Sequence, residues 1–200
     1  MPPTLELDLS KVAYYEKAGW EAYYDRNWPR AFWLLVQLNH AQFRMGWPQA
    51  LAAALDTVRA SIAFAPLDHS DVPKATAYIQ KFYEKAAHSL QVQADAATLA
   101  RLEMDYWVVH RRLAIARAQN PNDGALGPMV DSLANLHAAL FGSTPERMRA
   151  SAELRAKAAE TVDLITSKRS TDVAGDWRRV EEYLTQAYAA VERDAAPRPV

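Results

Sequence analysis

Apolar residues recur at helical intervals along most of the chain. Val173, Trp177 and Val180 follow one another at steps of four and three residues, and similar series begin at Ala75 and Leu99. An α-helix with one buried face produces this period, whereas a half-buried strand alternates at every second residue. The pattern predicts an all-α fold.

Prolines indicate where these helices begin, because proline is favoured in the first helical turn, where its missing N–H costs nothing. Five prolines stand directly before a helical pattern: Pro29, Pro48, Pro73, Pro128 and Pro145. Together with the apolar period they predict about eight helices, over residues 9–26, 29–45, 48–64, 73–89, 95–119, 128–141, 145–169 and 172–193.

The predicted helices form a single-domain compact bundle over residues 9–193, with tails at 1–8 and 194–200. The helix at 29–45 is apolar on most sides, and the helix at 48–64 carries little charge. We therefore expect these two helices to be central, with the others wrapped around them.

Composition supports this fold and excludes several classes of function. The 200 residues include 38 alanines and only 6 glycines, which favours helices over strands and tight turns. With no cysteine, disulfides, thiolate metal sites and cysteine nucleophiles are excluded. A formal charge of -1 argues against nucleic-acid binding. The start lacks the pattern of a signal peptide, and no apolar run is long enough to cross a membrane. These features predict a soluble, cytoplasmic protein without nucleic-acid or membrane partners.

Aromatic residues are concentrated near the start, where ten of the 20 lie between Tyr14 and Trp47. Core packing and helix-end packing would account for them. They would equally suit a pocket for a flat ligand or a subunit interface, because Trp and Tyr anchor both. For either of these, the candidate binding residues are Trp20, Tyr24, Trp28 and Trp33.

Gln37, His40 and Arg44 follow one line of the apolar helix at 29–45. If that helix is buried, the three side chains require partners and could line a polar pocket that holds an anion. Otherwise the line is the solvent-facing strip of the helix.

Four ionisable residues stand at core spacing in other helices. Glu16 lies on the apolar stripe of the first helix, His137 lies on that of the sixth, and Glu103 and His110 share one face of the fifth. Each could be a boundary or core residue satisfied by a neighbour. Together they could instead form a metal site for iron, manganese or zinc, whose ligands would all be oxygen or nitrogen.

The metal hypothesis has supporting and opposing features. Glu160 or Asp163 could add a carboxylate, and Tyr106, near His110, could donate a hydrogen bond to a metal ligand without touching the metal. The Glu-x-x-His pairs of carboxylate-bridged di-iron bundles, however, do not occur in this sequence. Gly-rich phosphate loops and Gly-x-Ser-x-Gly elbows are likewise missing from it.

The segments DRNWPRAFWLLVQL, LHAALFG and TVDLITSKRSTD resemble bacterial all-helical proteins to which no activity is assigned. The resemblance implies no function and no residue roles. Two functional hypotheses follow from the residues alone. The first is a helical bundle that binds a small molecule or associates with itself, as a homo-oligomer, through the aromatic N-terminal region. The alternative is a metal-dependent oxidoreductase with a carboxylate–histidine site inside the bundle.

Overall fold

A computed structural model describes residues 8–90, 94–120 and 124–195, with side chains for all of these except 88–90. Every regular element in these ranges is an α-helix. The helices are α1 (Leu9–Tyr24), α2 (Trp28–Phe43), α3 (Trp47–Phe64), α4 (Val72–Leu90), α5 (Ala96–Gln119), α6 (Gly127–Phe141), α7 (Pro145–Thr166) and α8 (Val173–Asp194). The all-α fold with eight helices is confirmed. The predicted tails fall mainly outside the described residues, although Asp8 and Asp194 belong to helix ends.

Local sequence signals set the helix ends. The side chains of Asn27, Thr144 and Asp172 each accept a hydrogen bond from a backbone N–H of the first turn that follows. Such caps satisfy donors that have no partner inside the helix. Gly142 ends α6 in a left-handed conformation with φ 60°, which glycine adopts without strain. Arg26 also takes a positive φ, so α1 ends two residues earlier than predicted.

The helices are arranged in chain order. Each packs against the helix before it and the helix after it, and α8 packs against α1, which closes the sequence of contacts into a ring. Few further pairs touch, among them α2 with α4.

The prediction that the helices at 29–45 and 48–64 are central is therefore wrong. Helix α2 leaves Trp33 52% exposed, and α3 leaves Ile62 67% exposed. Both helices bury only one side, because their packing neighbours lie on that side alone.

Alanine mediates much of the helix packing. In α3, Ala50, Ala53, Ala54 and Ala60 are fully buried and contact α2 and α4 through the largest apolar cluster of the core. Small side chains allow two helix backbones to approach closely. A hydrogen bond also joins α3 to α4: the Gln49 side chain donates to the Lys85 carbonyl oxygen at 2.7 Å.

No helix in the described ranges combines the length and the hydropathy that crossing a bilayer requires.

Candidate functional site

A buried ion pair joins α1, α7 and α8. Glu16 of α1 is 4% exposed, and Arg155 of α7 donates through both terminal nitrogens to its two carboxylate oxygens. Tyr188 of α8 donates its hydroxyl to Glu16 Oε2 at 2.5 Å. A buried carboxylate is stable only when paired and hydrogen-bonded, and here three donors meet that need.

The electrostatics of this cluster keep the Arg155 guanidinium charged. Burial lowers the pKa of the Arg155 guanidinium, but the Glu16 carboxylate, together with Tyr188 and Tyr106, more than offsets it, so that this pKa is raised well above its ordinary value. Burial and then the Glu16 carboxylate raise the pKa of Tyr188 well above its ordinary value. Tyr188 therefore remains a neutral hydrogen-bond donor.

Glu103 of α5 has a separate pair of donors. The Tyr83 hydroxyl of α4 donates to its Oε2 at 3.0 Å, and Trp107 Nε1 donates to its Oε1 at 2.8 Å. Burial, followed by the Glu103 carboxylate, raises the pKa of Tyr83 well above its ordinary value. Glu103 thus ties α4 to α5.

A histidine–aspartate pair links α5 to α7. His110 Nε2 lies 3.1 Å from Asp163 Oδ2, and the two side chains are 24% and 15% exposed. The Tyr106 ring stacks on the His110 ring, with their centroids 5.8 Å apart. Tyr106 is 8% exposed, and its hydroxyl makes no hydrogen bond to any residue that the structure describes.

His137 of α6 is a buried neutral histidine. Its Nδ1 is hydrogen-bonded to the Ser151 hydroxyl of α7 at 3.0 Å. Burial, and to a smaller extent the charge of Arg155, lowers the pKa of His137 to about 3. This is the core role that a lone histidine on an apolar stripe often has.

The four residues of the predicted metal site are thus held by different partners. Glu16 is held by Arg155, Glu103 by Tyr83 and Trp107, His110 by Asp163, and His137 by Ser151. Across the described ranges, no three histidine, aspartate or glutamate side chains are grouped closely enough to hold a metal ion. The possible extra ligand Glu160 pairs with Arg117 at 2.7 Å. The arrangement stabilises contacts between helices and offers no open set of ligands.

The structure distributes the four predicted aromatic binding residues over three places. Trp20 packs in the core cluster of α1, α7 and α8, with the Arg155 guanidinium 5.9 Å from its ring centroid. Tyr24 and Trp28 both lie against Tyr23, at centroid distances of 5.2 and 5.3 Å. Trp33 lies elsewhere, against Trp47 of α3.

Trp33, Trp47 and His40 form an aromatic stack on the outer side of α2 and α3. Trp47 lies parallel to Trp33 at 5.8 Å and stacks on the His40 ring at 4.1 Å. His40 Nδ1 donates to the Met45 carbonyl oxygen at 2.6 Å, which fixes the ring on Trp47. The line of Gln37, His40 and Arg44 is therefore at the surface: the first two are half-buried, and Arg44 is exposed.

An open apolar groove of about 370 Å³ begins at this stack. Its lining residues are all apolar: Trp33, Val36, Trp47, Pro48 and Leu51. The groove opens to solvent at the start of α3, and among the residues that the structure describes no charged or polar residue lines it.

The groove continues into an exposed apolar stripe along α3. Trp47, Leu51, Leu55 and Ile62 are between 42% and 67% exposed and recur at helical spacing. We call this surface, made of Trp33, Trp47, Leu51, Leu55 and Ile62, the α2–α3 face. Residues 47–62 contain only two charged side chains, Asp56 and Arg59, which pair with each other at 3.7 Å. The face itself is uncharged.

Sequence reasoning missed most of this face because α3 looked buried throughout. The signal that distinguishes its two sides is side-chain size: alanines occupy positions 50, 53, 54 and 60, and large residues occupy 47, 51, 55 and 62. The partners Arg155 and Tyr188 were also missed.

Comparisons with protein-family models, with curated proteins and with solved structures find no match to this chain. The functional argument therefore depends on the geometry of the molecule.

Proposed function

We propose that this chain is a non-enzymatic assembly protein in which two copies associate through the α2–α3 face. The observation that carries the proposal is the continuity of that face, where five large apolar side chains are between 42% and 67% exposed and are not interrupted by charge. Single exposed apolar residues are normal, but a contiguous patch marks an interaction site.

The area of the face suits a dimer. The five side chains expose roughly 500 Å² of apolar surface, and each partner in a stable interface contributes about 800 Å². The face thus supplies the apolar centre of such an interface, and a polar rim that includes Arg59 supplies the remainder. The aromatic anchors Trp33 and Trp47 are of the residue type that contributes most to association.

A protein partner fits the groove better than a small molecule does. Ligand sites enclose most of the ligand and carry a few polar groups that orient it. This groove is open, and each of its five lining residues is apolar. It can receive an apolar side chain from another helix.

A second copy fits better than a different, charged partner. The charged residues of α3 beside the face are already paired within the chain: Asp56 lies 2.7 Å from Lys85 and 3.7 Å from Arg59. No unpaired charge on the face selects a partner of opposite sign, and a two-fold dimer requires only that the same patch complement itself.

The test is the mass of the full chain in solution, measured by light scattering on a size-exclusion column and by sedimentation at several concentrations. We expect a dimer for the unmodified protein. Leu55→Lys and Trp33→Ala should give folded monomers, because a buried lysine or a lost anchor opposes association. Ile115→Lys is the matched control, since Ile115 on α5 is 44% exposed and Leu55 is 42% exposed.

Circular dichroism should show unchanged helix content in all three variants. A monomeric unmodified protein at about 100 μM, a concentration well above the Kd of specific dimers, would refute the proposal. A dimer that persists in Leu55→Lys would also refute it. Unfolding of Trp33→Ala would assign Trp33 to the core instead of the interface.

A further inference from the structure

The two most distinctive parts of the α2–α3 face lie at opposite ends of α3. The groove is at the start of the helix, around Trp47 and Pro48. Ile62, which is 67% exposed and is the most exposed residue of the face, stands near the end. Fifteen residues separate Trp47 from Ile62, a rise of about 22 Å. One end of the face is therefore a hollow and the other end is a projection.

Two-fold symmetry allows the α3 helices of a dimer to run parallel or antiparallel. In a parallel pair, each groove faces the other groove and each Ile62 faces the other Ile62, so that the hollows stay empty. In an antiparallel pair, each projection faces the hollow of the other copy. Interfaces pack as densely as protein interiors, which favours the arrangement that fills both hollows.

Charge favours the same arrangement. In a parallel pair Arg59, whose side chain is 56% exposed, would face Arg59 of the other copy. In an antiparallel pair Arg59 faces the first half of the other α3, and residues 47–55 contain no charged side chain. Like charges placed opposite each other in an interface oppose association, so the parallel pairing is disfavoured.

We infer that the two copies associate with their α3 helices antiparallel, with the two-fold axis at Leu55, so that Ile62 of each copy enters the groove of the other. The position of the axis follows from the residue numbers, because Leu55 lies midway between Pro48 at the groove and Ile62. The inference rests on the dimer proposed above. It adds the register and the relative orientation of the copies.

The chain contains no cysteine, so single cysteine variants can test this register directly. Two cysteines form a disulfide only when their Cα atoms lie within about 7 Å. Leu55→Cys should therefore cross-link to itself under mild oxidation and give a covalent dimer. Ile62→Cys alone should not, but an equal mixture of Ile62→Cys and Pro48→Cys should give a covalent heterodimer. Ile115→Cys is the control for random collision.

A second measurement uses no cross-linking. Ile62→Ala should raise the dimer Kd by about tenfold or more, because each copy loses the side chain that fills a groove. Ile115→Ala, which removes an exposed isoleucine elsewhere, should leave the Kd unchanged.

The outcomes separate this inference from the proposed function. Efficient Leu55→Cys cross-linking together with Ile62–Pro48 heterodimers supports the antiparallel register. A dimer that cross-links through Ile62→Cys alone, or that shows no Leu55→Cys cross-link, overturns the register and leaves self-association standing. A monomer under all conditions overturns both.

Discussion

Removal of the Arg155 side chain should destabilise the fold far more than removal of a surface arginine of the same helix. Arg155→Met retains much of the aliphatic length that packs near Trp20 but deletes the guanidinium. Glu16 is 4% exposed and would keep only Tyr188 as a donor. The variant leaves a buried carboxylate without its counter-charge.

The magnitude follows from that burial. Breaking a buried ion pair by removing one partner costs about 3–5 kcal/mol. The Arg155 side chain is 20% exposed, so water can partly solvate the carboxylate in the variant, and we expect the lower end of that range. A loss of about 3 kcal/mol lowers the melting temperature of a 200-residue domain by roughly 6–12 °C.

Arg149→Met is the matched control on α7. The Arg149 side chain is 53% exposed, and its partners Asp131 and Glu153 are 62% and 51% exposed. Exposed ion pairs contribute about 0–1 kcal/mol, so the free energy of unfolding of this variant should be close to that of the unmodified protein. The measurement is denaturant unfolding followed by circular dichroism at neutral pH.

A double-variant cycle identifies the source of the effect. A Glu16→Gln background removes the buried carboxylate that Arg155 pairs with, and Arg155→Met should then cost only about 1 kcal/mol, which gives a coupling energy of about 2 kcal/mol. The reasoning fails if Arg155→Met costs no more than Arg149→Met. It also fails if Arg155→Met costs the same in both backgrounds.

Two further predictions concern the interior. Tyr188→Phe should lower the free energy of unfolding by about 1.5–3 kcal/mol, because the Tyr188 hydroxyl donates to the buried carboxylate of Glu16. Tyr106→Phe should lower it by less than about 0.5 kcal/mol, because the Tyr106 hydroxyl makes no hydrogen bond within the described ranges. Equal losses of the two variants in denaturant unfolding would contradict this. The pKa of His137 is about 3 in the folded protein and 6.5 in the unfolded chain, so only the unfolded chain gains a proton as the pH falls below 6.5. Stability should therefore decrease by about 2 kcal/mol between pH 8 and pH 5, and His137→Gln, but not His69→Gln at an exposed position, should remove that contribution. An unchanged pH dependence in His137→Gln would refute the assignment.

Helix positions were predictable from sequence because their determinants are local. Caps such as Asn27 and Thr144, and the prolines beside them, act within one turn, and the apolar period reports on a single helix. The arrangement of the helices depends on contacts between distant segments. A helix such as α2, apolar on most sides, can be central or can expose one side, and the period alone does not distinguish the two.

Of the buried cluster around Glu16, only Glu16 itself was predictable from sequence, for the same reason. Glu16 was recognisable because it interrupts an apolar stripe, but its partner lies 139 residues away. Nothing in the residue type separates Arg155 from Arg149. The neighbours at one helical turn do separate them: Ser151, Ala158 and Ala159 stand three or four residues from Arg155 and are all buried, whereas the exposed Glu153 stands four residues from Arg149.

Side-chain size explains both the closed ring and the exposed face. Where α3 meets α2 and α4 through alanine, the backbones approach closely, and its large apolar residues are left on the outer side. Helices α1 and α7 do not follow one another in the ring, and the long side chains of Glu16 and Arg155 connect them. The polar contacts that close the ring and the apolar face proposed for dimerisation thus lie on different helices. Substitutions in Arg155 should act on folding and those in Leu55 on association, because the two sets of contacts share no residue.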